Sequence, residues 1–261
     1  MKTLSLAEFA ERAVEWRRPH QAQYFAMYSS VFDAIVTDPV LMLVPVDDHM
    51  VHRGDGVFET FKCVGGALYN LNAHLDRVEN SAAMIELAVP MARRELVDGI
   101  IATVRAGGQR DCLVRLLVSR GPGSFGVSPY DCPKPQIYIA VSRLPVAFMT
   151  AHPEGARVRT SRIPAKDAFF ARTKNCNYLA NALMKKEAVD AGVDFRDIHL
   201  AEITGAAEFL VVGTTINVVA VRDFDGQAIG GGRPGPVAAH LGRLLAEDIR
   251  KNVAMQTVVF G

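Results

Sequence analysis

The sequence predicts a two-domain α+β fold, and three observations carry that prediction. Strand-like apolar runs flank a two-glycine turn, and apolar residues recur at helical spacing on either side of them. Residues 143–155, which contain Pro145, Pro153 and Gly155, form a connection that divides the chain into halves of about 110 to 120 residues. The expected layout is a leader helix within residues 1–22, a smaller α+β domain over 23–145 and a larger domain over 146–261.

Ser5-Leu-Ala-Glu8 reads as a capping box opening a helix to about Arg18, since the serine accepts from an early amide and the glutamate reaches back. Val57–Val64 and Ala67–Leu71 read as antiparallel strands, because Gly65 and Gly66 tolerate the positive φ of a tight hairpin. Asn72 is the expected N-cap of a helix whose stripe runs Leu75, Val78, Ala82 and Ile85, which leaves Arg77 off that stripe. Leu96, Ile100 and Val104 mark a helix ended by Gly107-Gly108, and Cys112–Ser119 and Gln136–Val141 read as strands. In the second half a strand near Ala156–Ser161 precedes a helix from about Asn175 to Ala191, closed by Gly192. An apolar, β-like stretch follows over Phe209–Val221. Pro236 opens a helix with Val237, Leu241, Leu244, Leu245 and Ile249 on one face, and a strand closes the chain.

The 261 residues are 49% hydrophobic and 22% charged, the proportions of an ordinary globular protein. Lys and Arg total 29 against 28 acidic residues, so no broad field exists for gripping nucleic acid or an anionic membrane. The longest mostly apolar run, Leu210–Val221, falls far short of the roughly 20 residues that span a bilayer. The N-terminal stretch breaks its apolar positions with Glu8, Glu11 and Arg12, unlike a secretory signal. Cys63, Cys112, Cys132 and Cys176 form no C-x-x-C pair, which argues against a disulfide framework or a zinc site and for a reducing cytoplasm.

Gly121-Pro-Gly-Ser-Phe-Gly126 matches a dinucleotide fingerprint, but Val-Ser-Pro-Tyr follows it instead of a helix, so it reads as a glycine loop. Gly230–Gly235, with Arg233, precedes the last helix and reads either as a phosphate cradle or as a flexible loop. Gly213-Thr214-Thr215 is a second candidate anion cradle, with a β-bulge as the alternative. No serine-hydrolase elbow and no metal-ligand pair at helical spacing occurs.

Met50-Val-His-Arg-Gly-Asp-Gly-Val-Phe-Glu-Thr60, the glycine hairpin and His74-Leu-Asp-Arg77 resemble, in that order, the class IV aminotransferase family of fold type IV pyridoxal-phosphate enzymes. The resemblance continues through Val118-Ser-Arg-Gly121 and Thr173-Lys-Asn-Cys-Asn-Tyr-Leu179 and thins after Asp194. It implies pyridoxal 5'-phosphate in the crevice between the domains of a homodimer, and amino transfer between an amino acid and a 2-oxo acid. Lys174 stands where the family's Schiff-base lysine stands; only a primary amine forms an exchangeable imine, and its pKa must fall for it to carry a proton. Taken alone, it reads as a solvated surface lysine. Arg77 matches the arginine that holds the cofactor phosphate, otherwise an exposed helix arginine. Arg120 matches a substrate-carboxylate contact of the D-amino-acid branch, otherwise a surface charge. Tyr178 matches a donor to the cofactor's phenolic oxygen, with aromatic packing as the alternative.

Three departures stand out. Val212 precedes Gly213 where the family has the glutamate that protonates the pyridine nitrogen, so Glu208, four residues upstream, is named for that role. Val237 replaces the threonine that binds phosphate at the last helix. Phe58 replaces a substrate-facing tyrosine, which argues against strict D-amino-acid specificity. The alternatives are an aminodeoxychorismate lyase, which eliminates pyruvate, and a diverged relative impaired in cofactor use.

Overall fold

The computed structural model describes residues 1–193, 203 and 205–261. The capping box forms as read: the Glu8 amide donates to Ser5 Oγ at 3.2 Å and the Ser5 amide to Glu8 Oε2 at 3.0 Å. The helix, α1 (Leu6–Arg12), is shorter than expected and tightens into a 3₁₀ turn over Ala13–Trp16. Arg18, before Pro19, is in extended backbone, so the first helix cannot run through it, and a separate 3₁₀ turn over Pro19–Gln23 follows.

A hairpin of β1 (Tyr24–Ser29) and β2 (Ala34–Val36) follows, then a short helix α2 (His49–Arg53). Strands β3 (Gly56–Val64) and β4 (Ala67–Tyr69) turn at Gly65 and Gly66, whose φ of 61° and 93° justify the glycines. Helix α3 spans Leu71–Met84, and its N-cap is Asn70, not Asn72. The reason is packing: Leu71 is buried together with Leu75, Val78 and Ala82, so the apolar stripe starts one turn earlier than expected. Helix α4 (Arg93–Gly107) ends on a left-handed Gly108, and β5 (Cys112–Ser119) and β6 (Gln136–Arg143) complete the first half.

The second half holds α5 (Phe148–Ala151), β7 (Ala156–Val158), α6 (Ala168–Ala171) and α7 (Leu179–Asp190). The apolar stretch at 209–221 folds as two strands, β8 (Phe209–Gly213) and β9 (Asn217–Phe224), extended by β10 (Gln227–Ala228). Helix α8 (Pro236–Lys251) has proline in its first turn, and β11 (Gln256–Val258) ends the chain.

The described strands make two sheets. Seven run antiparallel in the order β11-β4-β3-β5-β6-β1-β2, and β7, β8, β9 and β10 form the other, with β7 parallel to β9. Strand β11 returns from the second half to pair with β4, Thr257 opposite Leu68. Helices α3 and α4 cover the large sheet around Phe61, Leu75, Ile100 and Leu116. The smaller sheet centres on Val158, Val221, Phe224 and Ile229. The expected apolar face of α8 is only partly used. Ala238 and Ile249 are buried, while Val237, Leu241 and Leu244 stay exposed.

Candidate active site

Strand β3 positions the site from both of its faces. Side chains alternate along a strand, so Phe58 and Lys62 share one face while Glu59, Phe61 and Cys63 share the other. On the second face lies the core. There Glu59, fully buried, receives Arg77 Nη2 at 2.7 Å, Arg77 Nε at a still closer approach, and His74 Nδ1 at 2.8 Å. The three-residue spacing of His74 and Arg77 along α3 brings both over one carboxylate. Burial alone raises the Glu59 pKa, but the hydrogen bonds from His74 and Arg77 and the guanidinium charge outweigh it and hold the carboxyl below its ordinary value.

The residues before α7 do not join the helix expected from Asn175, because β3 recruits their backbone. The Phe58 amide donates to the Lys174 carbonyl at 3.0 Å, and the Cys176 amide donates to Gly56 O at 2.8 Å. Asn175 accepts the Asn177 amide on its own side chain, a local turn that delays the helix to Leu179. Ser81 Oγ of α3 accepts the Lys174 amide at 3.3 Å. Lys174 is thus held at the junction of β3, α3 and α7.

Its amine lies 4.4 Å from the Phe58 ring centroid and 5.9 Å from that of Tyr178, and the two rings meet edge to face at 5.0 Å. Burial lowers the Lys174 pKa, and the charges of Arg77, Arg115 and Lys166 push the same way against the pull of Glu59. A cavity of about 440 Å³ opens beside it between the two halves, lined by Arg77, Ser81, Lys166, Lys174, Tyr178 and Asn181 among others. Arg77 also borders a second cavity of about 390 Å³, with Lys62, His74, Gly213, Thr214 and Asn217. Arg77 therefore stands between the two spaces.

The structure brings together Lys174, Arg77, Tyr178 and Phe58. Thr214 reaches the second cavity with Arg77, whereas Thr215 lines a separate one of about 170 Å³. Gly213–Asn217 is a tight hairpin turn and not a bulge: the Ile216 amide donates to Gly213 O, and Asn217 takes the left-handed conformation. Arg120 is not directed at either cavity. Its guanidinium donates to both Asp55 oxygens at 3.0 Å and to the carbonyls of Ile85 and Glu86 at 2.8 Å.

Glu208 is placed elsewhere. Its carboxylate accepts the Val237 amide at 2.8 Å and the Ala238 amide at 2.9 Å, closing the first turn of α8. A Cβ on Gly235 would overlap that carboxyl group, so the glycine admits the glutamate. Among the described residues no carboxylate lines either cavity. Sequence reasoning missed Glu59 and Lys62, polar residues inside an apolar strand, although both lie in or beside the quoted motifs.

The sequence model of the class IV aminotransferases matches residues 56–224. A D-amino-acid transaminase of Arabidopsis thaliana, described as chloroplastic, is 34% identical over 291 aligned positions, covering 87% of this chain and 77% of the relative. A bifunctional aminodeoxychorismate lyase / D-amino acid transaminase of Mycobacterium tuberculosis is 29% identical, over 77% of this chain and 68% of its own. Among solved structures, a branched-chain amino acid aminotransferase of T.th. with pyridoxamine 5'-phosphate superposes with a TM-score of 0.82 at 23% identity, covering 91% of this chain and 99% of that one. The fold is the one that structure displays. Among the described residues no helix is long and apolar enough to cross a membrane.

Proposed function

The chain belongs to the class IV aminotransferase family, and from that membership we propose that it transfers an amino group between an amino acid and a 2-oxo acid, with pyridoxal 5'-phosphate bound beside Lys174. One observation carries the reading: a half-buried primary amine and a guanidinium line the same cavity. That donor set fits the group. An amine whose protonation is disfavoured by burial suits an aldehyde, and a planar cation suits a phosphate. When bound, the cofactor supplies an aldehyde that condenses with amines and a ring that withdraws electrons from the substrate's α-carbon.

The chain's own residues supply the rest. Lys174 Nζ accepts a proton from the substrate's α-carbon and gives it up again, which needs the free amine that burial favours. The rings of Phe58 and Tyr178 crowd that amine and keep water from it. Arg77, oriented by Glu59, anchors the phosphate, and the Tyr178 hydroxyl is assigned to the phenolic oxygen. Arg120 acts on the substrate only indirectly, through the loop it ties to α3. With no carboxylate lining the cavities among the described residues, no acid is assigned to the pyridine nitrogen.

The test is spectroscopic. Pyridoxal 5'-phosphate added to the protein should produce a new absorbance band, and Lys174→Ala should lose both band and keto-acid-dependent amine transfer. A band that persists unchanged in Lys174→Ala overturns the assignment. A second reading, pyruvate elimination from aminodeoxychorismate, draws on the bifunctional Mycobacterium tuberculosis relative and is separated by assaying pyruvate without an acceptor. A homodimer acting in the cytoplasm belongs to the same proposal. The exposed Val237, Leu241 and Leu244 support the dimer, and light scattering checks it.

A further inference from the structure

Lys62 of β3 is 7% exposed, and its ammonium donates to Asn217 Oδ1. No carboxylate among the described residues pairs with it, and burial alone pulls its pKa down. An ammonium carries three donors, so this one borders the second cavity with its charge uncompensated and two N–H groups unspent. Buried cations are normally paired. Beside it in the same cavity lie Arg77 and the turn that begins Gly213-Thr214.

The start of α8 cannot serve an outside anion. Its amides at Val237 and Ala238 are taken by Glu208, and Val237 offers no hydroxyl. The cavity that holds Lys62 keeps two cations at its wall, and the Glu59 carboxylate that Arg77 and His74 contact is itself fully buried. Asn217 closes the β8–β9 hairpin in a left-handed conformation, and from there its side chain orients the ammonium.

We propose that Lys62 and Arg77, with the Gly213–Asn217 turn, form the anchoring site for a phosphate monoester, and that Lys62 does here what the start of α8 cannot. Lys62 is a binding residue, assigned to the phosphate and not to the reacting carbon. That the monoester is pyridoxal 5'-phosphate rests on the function proposed above. The site itself, an amine and a guanidinium converging on one phosphate, does not.

The experiment compares wild type, Lys62→Met and Lys62→Arg as apo-proteins against pyridoxal 5'-phosphate, pyridoxal without its phosphate, and inorganic phosphate. Dissociation constants come from the absorbance band for the two aldehydes and from the thermal midpoint for phosphate. Losing a charge-assisted contact should weaken pyridoxal 5'-phosphate in Lys62→Met by about tenfold to a hundredfold and leave pyridoxal unchanged, while Lys62→Arg recovers most of the loss. Thermal stabilisation by inorganic phosphate should vanish in Lys62→Met. Equal weakening of both aldehydes, or of neither, overturns the proposal, and so does phosphate stabilisation that survives Lys62→Met. If the wild type gives no band with either aldehyde but its phosphate stabilisation depends on Lys62, the anion site stands and the proposed transaminase function falls.

Discussion

The carbonyl of Lys174 accepts the amide of Phe58 at 3.0 Å, while the Phe58 ring sits 4.4 Å from the Lys174 amine. One residue of β3 thus fixes the lysine's backbone and also covers its reactive end. The amine inherits its position from the register of the large sheet, not from the short helices around it. A change at Phe58 that spares the backbone therefore separates the two contributions.

Phe58→Ala keeps the hydrogen bond to Lys174 and removes the ring. Water then reaches the amine, and its pKa rises toward the ordinary lysine value. The expected outcome is slower reductive alkylation of Lys174 at neutral pH and a pH profile of turnover displaced upward. Mass spectrometry of the alkylated lysine after brief labelling checks the first, and initial rates across pH the second.

Glu59 is fully buried beneath two donors, so its loss leaves the hydrogen bonds of His74 and of the half-exposed Arg77 unmade. Glu59→Ala should cost about 1–3 kcal/mol of unfolding free energy, less than for a fully buried pair because the Arg77 side chain is 52% exposed and water can take up its charge. Urea unfolding of the variant checks it. An unchanged midpoint would show that the carboxylate contributes nothing to the fold.

The same carboxylate gives the stability a pH dependence of definite sign. Its folded pKa lies below the ordinary carboxylate value, so the unfolded chain binds the proton more readily. The stabilisation is complete above the ordinary Glu value and is lost as the pH falls through the depressed one. Urea midpoints measured from neutral pH into acid should fall more steeply for wild type than for Glu59→Gln.

Glu208 and Gly235 should behave as a coupled pair. Glu208→Ala removes the acceptor from two amides of α8 and should cost about 0.5–2 kcal/mol. Gly235→Ala drives a methyl into the Glu208 carboxyl group and should cost about 1–3 kcal/mol in the wild type. In the Glu208→Ala background the second substitution should cost much less. A double-mutant cycle of thermal midpoints measures the difference.

Arg120→Met should act on stability before it acts on catalysis. All the partners found for its guanidinium belong to the fold, and its pairing with Asp55 is mostly buried, at 14% and 22% side-chain exposure. A loss of about 2–4 kcal/mol is expected, with KM for the amino donor changed by less than about threefold. A rise in KM without loss of stability would give the side chain a direct role at the substrate.

Local signals are legible in the sequence and distant ones are not. The Ser5–Glu8 box, the Gly65-Gly66 turn and the stripe of α3 depend on residues a few positions apart, and each forms within a few residues of its expected place. The β1–β2 hairpin carries no two-glycine signal and no clean alternation in Tyr24–Ser29, so nothing local announces it. The start of α7 depends on hydrogen bonds to Gly56 and Phe58, more than a hundred positions upstream, which no helical spacing reveals. Lys174, Arg77, Tyr178 and Phe58 come from separate motifs, and their meeting at one junction is a product of the tertiary fold that periodicity alone does not contain. Proximity in sequence points Glu208 to the ring nitrogen, but the amides that claim it lie some thirty residues onward. Glu59 and Lys62 escape notice because polar side chains inside a strand carry no sign of what awaits them across the sheet.

The final strand has a topological consequence. Because β11 hydrogen-bonds to β4 after α8, the polypeptide crosses between its halves once on leaving β6 and once more on returning. A single protease nick in residues 144–155 would therefore leave two fragments still clasped together, by β11 on β4 as well as by the backbone of Lys174 and Cys176 on β3. The cleft is thus framed by a closed loop of chain, tethered at both rims.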